Sequence, residues 1–210
     1  MTKRILAILM CMMMALTGTA LASEDGISIA DSFEVTDWSF GEIDWLTPID
    51  EYMTTFADGG NAELVWLDKD ATIKRREYVK ELGCECDLMY LYQAIGSDNR
   101  YKLAQIEIRA TAEDETGYLK LVDGAQAAFD AISAAYGEAN EKNIMYDNQG
   151  IFERMRAHDE QYDRAFWSNT SSIAKLDGKD LVGIMSVYYE TGDSGMAVGF
   201  TFGATLGKVI

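Results

Sequence analysis

The residues best suited to chemistry in this chain are two cysteines separated by one residue, Cys84 and Cys86. Apolar and polar residues alternate around them, which is the period of a β-strand. Two residues apart on a strand, Cβ atoms lie about 6.6 Å apart, whereas a disulfide needs about 3.8 Å. Three interpretations stay open: two buried inert thiols, a strained C-x-C disulfide, or a thiol pair with a redox function.

Histidine and acidic residues give a weaker signal. His158 is the only histidine and stands beside Asp159 and Glu160, but it falls on the apolar side of a segment with helical spacing. No serine has the G-x-S-x-G context of an esterase nucleophile, and one histidine is too few for a multi-histidine metal site. Carboxylate pairs of the kind that glycosidases use are possible among the 35 acidic residues, yet no spacing singles one out. We therefore expect no catalytic residue and no metal site.

Cofactor motifs are missing from the sequence as well. No glycine-rich phosphate loop and no dinucleotide fingerprint opens a helix. The sequence therefore predicts no cofactor.

Tyrosines in alternating segments form a further candidate group. Tyr90 and Tyr92 lie on one side of such a segment, while Tyr188 and Tyr189 are neighbours in another. Neighbouring strand residues point to opposite faces, so one ring of the second pair is expected outside a helix-packed core. Exposed on a sheet face, these rings would bind a protein or a glycan; buried, they would fill the core.

The first 22 residues have the three parts of a secretory signal peptide. Lys3 and Arg4 precede an apolar run at residues 5–16, and residues 20–22 give a small-x-small cleavage site. The run is shorter than the about 20 residues of a membrane span. We therefore expect cleavage near Ala22 and a secreted or extracytoplasmic chain.

The charge of that exported chain restricts its partners. Cleavage would remove two of the 18 basic residues and none of the 35 acidic ones, so the net charge would change from −17 to −19. Such a charge disfavours nucleic acids and anionic membrane surfaces. A protein or an envelope component of unknown identity is the expected partner.

The elements that would position these side chains centre on residues 101–137. Residues 101–110 alternate as a strand, and residues 116–136 carry apolar side chains at three- and four-residue steps, which predicts an amphipathic helix. Gly137 is placed to end it. A helix with one apolar stripe must pack on the strands before and after it.

The remaining segments predict a second helix and several more strands. Thr47 and Pro48 mark the start of a helix, as N-cap and first helical residue. Strands are predicted at residues 62–67, 72–94 (bent or bulged at Gly83), 164–176, 180–189 and 196–202, with a short helix near residues 150–162.

The order helix, strand, strand, strand therefore occurs twice. It predicts an α+β fold of two α-β-β-β-like units, with one curved antiparallel sheet and two main helices packed on one face. After the signal peptide at residues 1–22, residues 23–46 form an extended segment. Residues 47–112 form the first unit and residues 113–210 the second, within one compact domain.

The same order resembles uncharacterised exported bacterial proteins of the β-lactamase-inhibitor-protein-like (BLIP-like) type. The likeness rests on Trp45 before Thr47 and Pro48, on a longer helix ending at Tyr136 and Gly137, and on a strand carrying Trp167 followed by hairpins. The resemblance implies an interaction or envelope role. It transfers no functional residue, and it does not imply inhibition of a β-lactamase.

These observations favour a non-enzymatic exported module that binds its partner through the open face of the sheet. Two alternatives remain at this point: an exported hydrolase with paired carboxylates, and a thiol-based redox protein that uses Cys84 and Cys86.

Overall fold

A long helix and a short one pack against an antiparallel sheet in the computed structural model, which describes residues 26–34, 38–41, 43–55, 62–67, 69–142, 161–168, 171–192 and 195–206. The predicted signal peptide and His158 lie outside these residues. The elements, in chain order, are β1 (Phe33–Glu34), β2 (Ser39–Phe40), α1 (Ile49–Thr55), β3 (Glu63–Leu67), β4 (Asp70–Val79), β5 (Cys84–Ile95), β6 (Arg100–Ala112), α2 (Glu115–Tyr136), β7 (Glu141–Lys142), β8 (Gln161–Ser168), β9 (Ala174–Leu176), β10 (Lys179–Gly192) and β11 (Gly195–Leu206).

The strands after α1 form one sheet, with the order β3-β4-β5-β6-β11-β10-β8-β7 and with β9 also paired to β10. Each of these pairings is antiparallel. β6 and β11, which are distant in sequence, lie side by side in the middle, where Phe200 pairs with Ile108. The predicted α+β class and antiparallel sheet are confirmed.

The predicted single strand over residues 72–94 is wrong, because the chain reverses in its middle. Residues 80–83 form a tight turn between β4 and β5, closed by a hydrogen bond from Gly83 N to Val79 O (2.8 Å). Gly83 has φ +65°, a conformation that glycine adopts without strain. Leu82 is buried inside the turn, so the apolar pattern continues across the reversal and conceals it. Four strands, not three, therefore follow α1.

The predicted strand over residues 164–176 also divides into two elements, β8 and β9. Gln161 and Tyr162 already belong to β8, so the end of the helix predicted near residues 150–162 is a strand. The rest of that predicted helix lies outside the described residues.

The prediction for α2 is confirmed at both ends. Asp114 is its N-cap, and its carboxylate accepts a hydrogen bond from Gly117 N (2.7 Å). Gly137 has φ +87° and donates its N–H to Ser133 O (2.9 Å). The buried stripe has the predicted three- and four-residue spacing: Tyr118, Leu121, Val122, Ala125, Ala128 and Ile132.

Both helices contact the same face of the sheet, here called the helix face. Tyr52 of α1 packs on Tyr90 of β5, with ring centroids 5.0 Å apart, and Phe129 of α2 packs on Trp167 of β8 at 5.3 Å. Directly paired residues of adjacent strands point to the same side. Tyr90 and Trp167 are joined by such pairs through Ile106, Phe202 and Met185.

One carboxylate helps to fix the segment before α1 to the end of the β4–β5 hairpin, together with a backbone hydrogen bond from Lys80 N to Ile27 O (3.0 Å). Glu81 accepts hydrogen bonds from Ser28 Oγ (2.7 Å), Ile29 N (3.0 Å) and Ala30 N (3.1 Å). Burial alone would raise the pKa of Glu81, but these hydrogen bonds outweigh it and lower the pKa below its usual value. Ile29 is thereby held in the core with no exposed surface.

Candidate functional site

The face of the sheet opposite α1 and α2, here called the open face, is accessible along the central strands. On β5 the helix-face residues from Cys86 to Tyr92 are buried, whereas the alternating residues Asp87, Met89, Leu91 and Gln93 are only partly buried. An antiparallel sheet with one packed face and one solvated face gives this alternation. Side chains that could meet a partner therefore lie on the open face.

The four tyrosines singled out in the sequence do not form one surface. Tyr90 and Tyr92 are buried beneath Tyr52 of α1, and Tyr189 is buried with its ring 6.5 Å from that of Tyr118. For these three, exposure on a sheet face is wrong, because their strand positions point toward the helices. They fill the core instead.

Tyr188 points to the open face, as its position next to Tyr189 predicts, but its ring is only 3% exposed. It lies across the backbone of Gly199 on β11, where an added Cβ atom would overlap the ring. Its hydroxyl donates a hydrogen bond to Oε1 of Glu107 on β6. Burial and the negative charge of Glu107 raise the pKa of Tyr188, so this hydroxyl keeps its proton.

A partly buried ion pair lies beside this tyrosine. Arg109 donates from Nε (3.2 Å) and Nη2 (3.0 Å) to the same carboxylate oxygen of Glu190. Burial alone would lower the pKa of Arg109, but the hydrogen bonds and charge of Glu190 outweigh it and raise that pKa. Both side chains are about a quarter to a third exposed, at 22% and 35%.

A second charged cluster continues the line toward β4. Asp87 forms an ion pair with Lys74 (2.8 Å) and lies 3.8 Å from Arg76. Asp87 pairs directly with Arg109 across β5 and β6, and Arg109 pairs with Gly199 across β6 and β11. The polar side chains come from β4, β5, β6 and β10, and their line also passes over β11, so it spans five adjacent strands of the open face. We call this set the open-face network: Lys74, Arg76, Asp87, Glu107, Arg109, Tyr188 and Glu190.

The open-face network is suited to recognition by hydrogen bonds and charge. Each of its acidic groups contacts a donor or a cation, which fixes the side chains before a partner arrives. The pKa shifts of Tyr188 and Arg109 are upward from values that are already high. Neither group therefore exchanges a proton near neutral pH, as a general acid or base would have to.

A cavity of about 370 Å³ opens on the helix face between the segment before α1, α1 itself and β4. Its lining combines polar and apolar groups, among them Tyr52, Tyr90, Phe40 and the guanidinium of Arg75. The Arg75 guanidinium carbon lies 5.6 Å from the centre of the Tyr90 ring, and Nε lies 3.1 Å from Glu77 Oε1 without forming a hydrogen bond. Glu77 thus lies close enough to offset part of the positive charge of Arg75.

Comparisons with known proteins give no information about the function of this chain. No protein-family model, no curated protein and no solved structure matches the chain. Among the residues that the structure describes, no helix combines the length and the apolar composition of a membrane span. The same residues contain no group of three or more histidines, cysteines or acids that could hold a metal ion.

The two cysteines lie at the start of β5, and the structure brings their sulfur atoms together. Cys84 Sγ and Cys86 Sγ are 3.8 Å apart as free thiols, with Cys84 partly exposed and Cys86 buried. Side chains two residues apart on a strand share a face; here both belong to the helix face.

The acidic and basic members of the open-face network were missed by the sequence analysis. No motif marks Glu107, Arg109 or Glu190, because each is one charged residue among many. One signal was available: Gly199 lies between Ala197 and Thr201 on the side of β11 that carries little bulk. A stretch of small residues on one strand face indicates that a large neighbouring side chain lies over it.

Proposed function

We propose that the protein is an exported, non-enzymatic module that binds a protein or an envelope component through the open face of its sheet. The observation that supports this most directly is the open-face network, which extends across five strands on the side away from the helices. Export is supported by the signal-peptide pattern of the first 22 residues.

The open-face network is better suited to such a partner than the rest of the protein surface, because its charges are balanced. The chain has a net charge of −17, which repels other acidic molecules at long range. The network combines three cationic side chains with three carboxylates, and so presents a balanced patch. A partner surface of mixed charge can pair with it without strong repulsion.

Tyr188 gives this surface a fixed centre. Its ring is held between Gly199 and Glu107, so it loses little conformational freedom on binding. Large aromatic side chains surrounded by charged ones are typical of the centres of protein interfaces. Because the ring itself is almost fully covered, a partner would contact chiefly the charged groups around it.

We also propose that the chain comprises two related units, residues 47–112 and 113–210, each built of a helix followed by antiparallel strands. The strand order supports this: from the centre outward, β6, β5, β4 and β3 follow on one side, and β11, β10 and β8 on the other. On each side of the centre, the innermost strand is the last strand of its unit, β6 or β11. In sequence, α1 precedes the strands of the first unit and α2 precedes those of the second. The resemblance to BLIP-like proteins, whose implied role is interaction, agrees with this arrangement.

Site-specific photocrosslinking in an exporting bacterial host tests the proposed surface. A photoreactive residue would replace Met89 or Gln105 on the open face, or, as the control, Met53 on α1, which is 39% exposed. We expect crosslinks to the same protein or envelope component from both open-face positions and none from Met53. Arg109→Glu should abolish them. Crosslinks from Met53 alone, or none from the open face, would refute the proposal.

A further inference from the structure

The strand carrying Cys84 and Cys86 places two thiols of different accessibility within contact distance. Their sulfur atoms are 3.8 Å apart, which is a sulfur hydrogen bond and not a covalent bond. Cys84 is the first residue of β5 and is partly exposed, whereas Cys86 is 1% exposed within the core. Only the first sulfur is accessible to another molecule.

We propose that Cys84 and Cys86 form a dithiol that exchanges with a disulfide bond of another molecule, with Cys84 attacking first and Cys86 resolving the intermediate. This activity goes beyond the proposed binding function and uses the opposite face of the sheet.

The surroundings of Cys84 favour its thiolate. The hydrogen bond from the Cys86 thiol is the largest influence; with the charge of Arg76 on β4, it outweighs burial and the opposing charge of Glu85 and lowers the pKa of Cys84 to about 7. The same hydrogen bond, together with burial and the charge of Asp87, raises the pKa of Cys86. A thiolate is the nucleophile in disulfide exchange, so Cys84 is the thiol that can attack near neutral pH.

The exchange is balanced in atoms and electrons. The Cys84 thiolate attacks one sulfur of the incoming disulfide, that S–S bond breaks, and the departing thiolate takes a proton from water. Cys86 then loses its proton to water and attacks Cys84 Sγ, which releases the second thiol. The two cysteines are oxidised to a disulfide, and the incoming disulfide is reduced to two thiols.

Formation of the mixed disulfide at Cys84 makes Cys86 more reactive in the second step. The largest influence that raises the pKa of Cys86 is its hydrogen bond to Cys84. Once Cys84 is held in a mixed disulfide, it no longer carries a negative charge, and that influence ends. Cys86 then becomes easier to deprotonate.

The position of the pair at the end of a strand allows closure. Side chains two residues apart on a regular strand have Cβ atoms about 6.6 Å apart, so a disulfide there needs a local distortion. Cys84 follows Gly83, whose φ is +65° in the β4–β5 turn. Only the first residue of β5 therefore has to move, and the resulting strained disulfide is readily reduced again.

The first test measures how fast Cys84 is alkylated as a function of pH in the folded protein. We expect a midpoint near 7 for the native chain and near about 8.5 in urea, where cysteines have ordinary values. In Cys86→Ala the midpoint should move upward, because the hydrogen bond is lost. A native midpoint equal to that in urea would overturn the proposal.

The second test traps the intermediate with oxidised glutathione and identifies it by mass spectrometry. Cys86→Ala should accumulate glutathione on Cys84, whereas the native chain should proceed to an internal disulfide. Cys84→Ala should react at least about ten-fold more slowly, because its remaining thiol is buried. Equal rates of reaction with glutathione in Cys84→Ala and Cys86→Ala would contradict the assigned roles. A persistent glutathione adduct on the native chain would contradict them as well. Cys86→Ser replaces Cys86→Ala if circular dichroism shows that the latter is unfolded.

A parallel reaction with a protein that carries an exposed interchain disulfide distinguishes the source of the disulfide. If only oxidised glutathione reacts, the exchange partner of Cys84 is a small-molecule disulfide. If the protein disulfide reacts, the exchange partner is a protein. Reaction with neither overturns the proposal. These rates are measured on the purified chain without a partner, whereas the binding face is tested by crosslinking in cells, so failure of one function is distinguishable from failure of the other. Lys120→Gln, at an exposed position of α2 outside both sites, should leave all these rates unchanged.

Discussion

Tyr188 on β10 lies flat across Gly199 on β11, and its hydroxyl reaches Glu107 on β6. One side chain thus spans the junction between the two central strands on the open face. The absence of a side chain at Gly199 is what makes room for the ring. This relationship gives the first prediction.

Gly199→Ala should destabilise the protein. In a strand, alanine is normally the more favourable of the two residues, because glycine loses more conformational entropy on folding. The added methyl group overlaps the Tyr188 ring, and overpacking of this kind costs about 1–3 kcal/mol. The free energy of unfolding in urea measures it. In the background of Tyr188→Ala the same change should cost much less, since the ring is gone. Additive effects in this double-mutant cycle would show that the two residues do not interact.

Removing the tyrosine hydroxyl should also be costly. In Tyr188→Phe the carboxylate of Glu107 loses its donor, and hydrogen bonds to charged groups contribute about 1.5–3 kcal/mol. Tyr78→Phe on β4 is the matched control, because that side chain is 38% exposed and should change stability by less than about 0.5 kcal/mol. Equal losses in the two variants would contradict the role given to this hydrogen bond.

The ion pair between Arg109 and Glu190 should contribute more than an exposed pair of the same type. Arg109→Met leaves Glu190 without its partner, and we expect a loss of about 1–2 kcal/mol. The control is Arg100→Met, whose partner Asp50 is 71% exposed at 2.8 Å; such pairs contribute about 0–1 kcal/mol. Urea unfolding at low and high salt measures both. A larger loss for Arg100→Met would be inconsistent with the open-face network as a fixed structure.

Much of the fold could be predicted because the sequence pattern and the tertiary packing agree. Residues 116–136 have both the helical spacing and the stop at Gly137, and the structure places the predicted stripe against the sheet. The last two strands alternate clearly and are joined by glycine-rich turns. Local information is sufficient in these places.

The errors come from places where packing overrides the local pattern. Leu82 continues the apolar alternation through the β4–β5 turn, so two strands have the pattern of one. The exposure of Tyr90 and Tyr92 could not be predicted, since it depends on where α1 docks. The open-face network brings together residues from four strands, and no short-range spacing encodes such a cluster.

Glu81 should make the docking of the N-terminal segment depend on acid pH. Because the folded-state pKa of Glu81 lies below its unfolded value, its stabilisation is present above about pH 4.3 and is lost as the pH falls through the folded value. Glu81→Gln should lower stability at pH 7 by about 1 kcal/mol and flatten this acid loss. Glu113→Gln, at an exposed position, is the control. An unchanged acid profile in Glu81→Gln would assign the loss to other carboxylates.

Gly124 should behave unlike an ordinary helical glycine. In an exposed helix, glycine to alanine stabilises by about 1 kcal/mol. Here α2 lies against the β4–β5 turn, and a Cβ atom at this position would be 2.6 Å from Glu81 O and 3.0 Å from Leu82 Cα. These are backbone atoms that cannot turn aside, so Gly124→Ala should destabilise the protein and displace the hairpin end that carries Cys84. The midpoint of thermal unfolding measures this, and it should be lower in Gly124→Ala than in the native chain.

The control for this prediction makes the reverse exchange at an exposed position of the same helix, Ala127→Gly. Ala127 is exposed, so helix propensity should dominate there, and the midpoint should fall because glycine is the poorer helix former. Alanine should therefore be the better residue at position 127 and glycine the better one at position 124. A higher midpoint in Gly124→Ala would exclude the close approach of helix and turn.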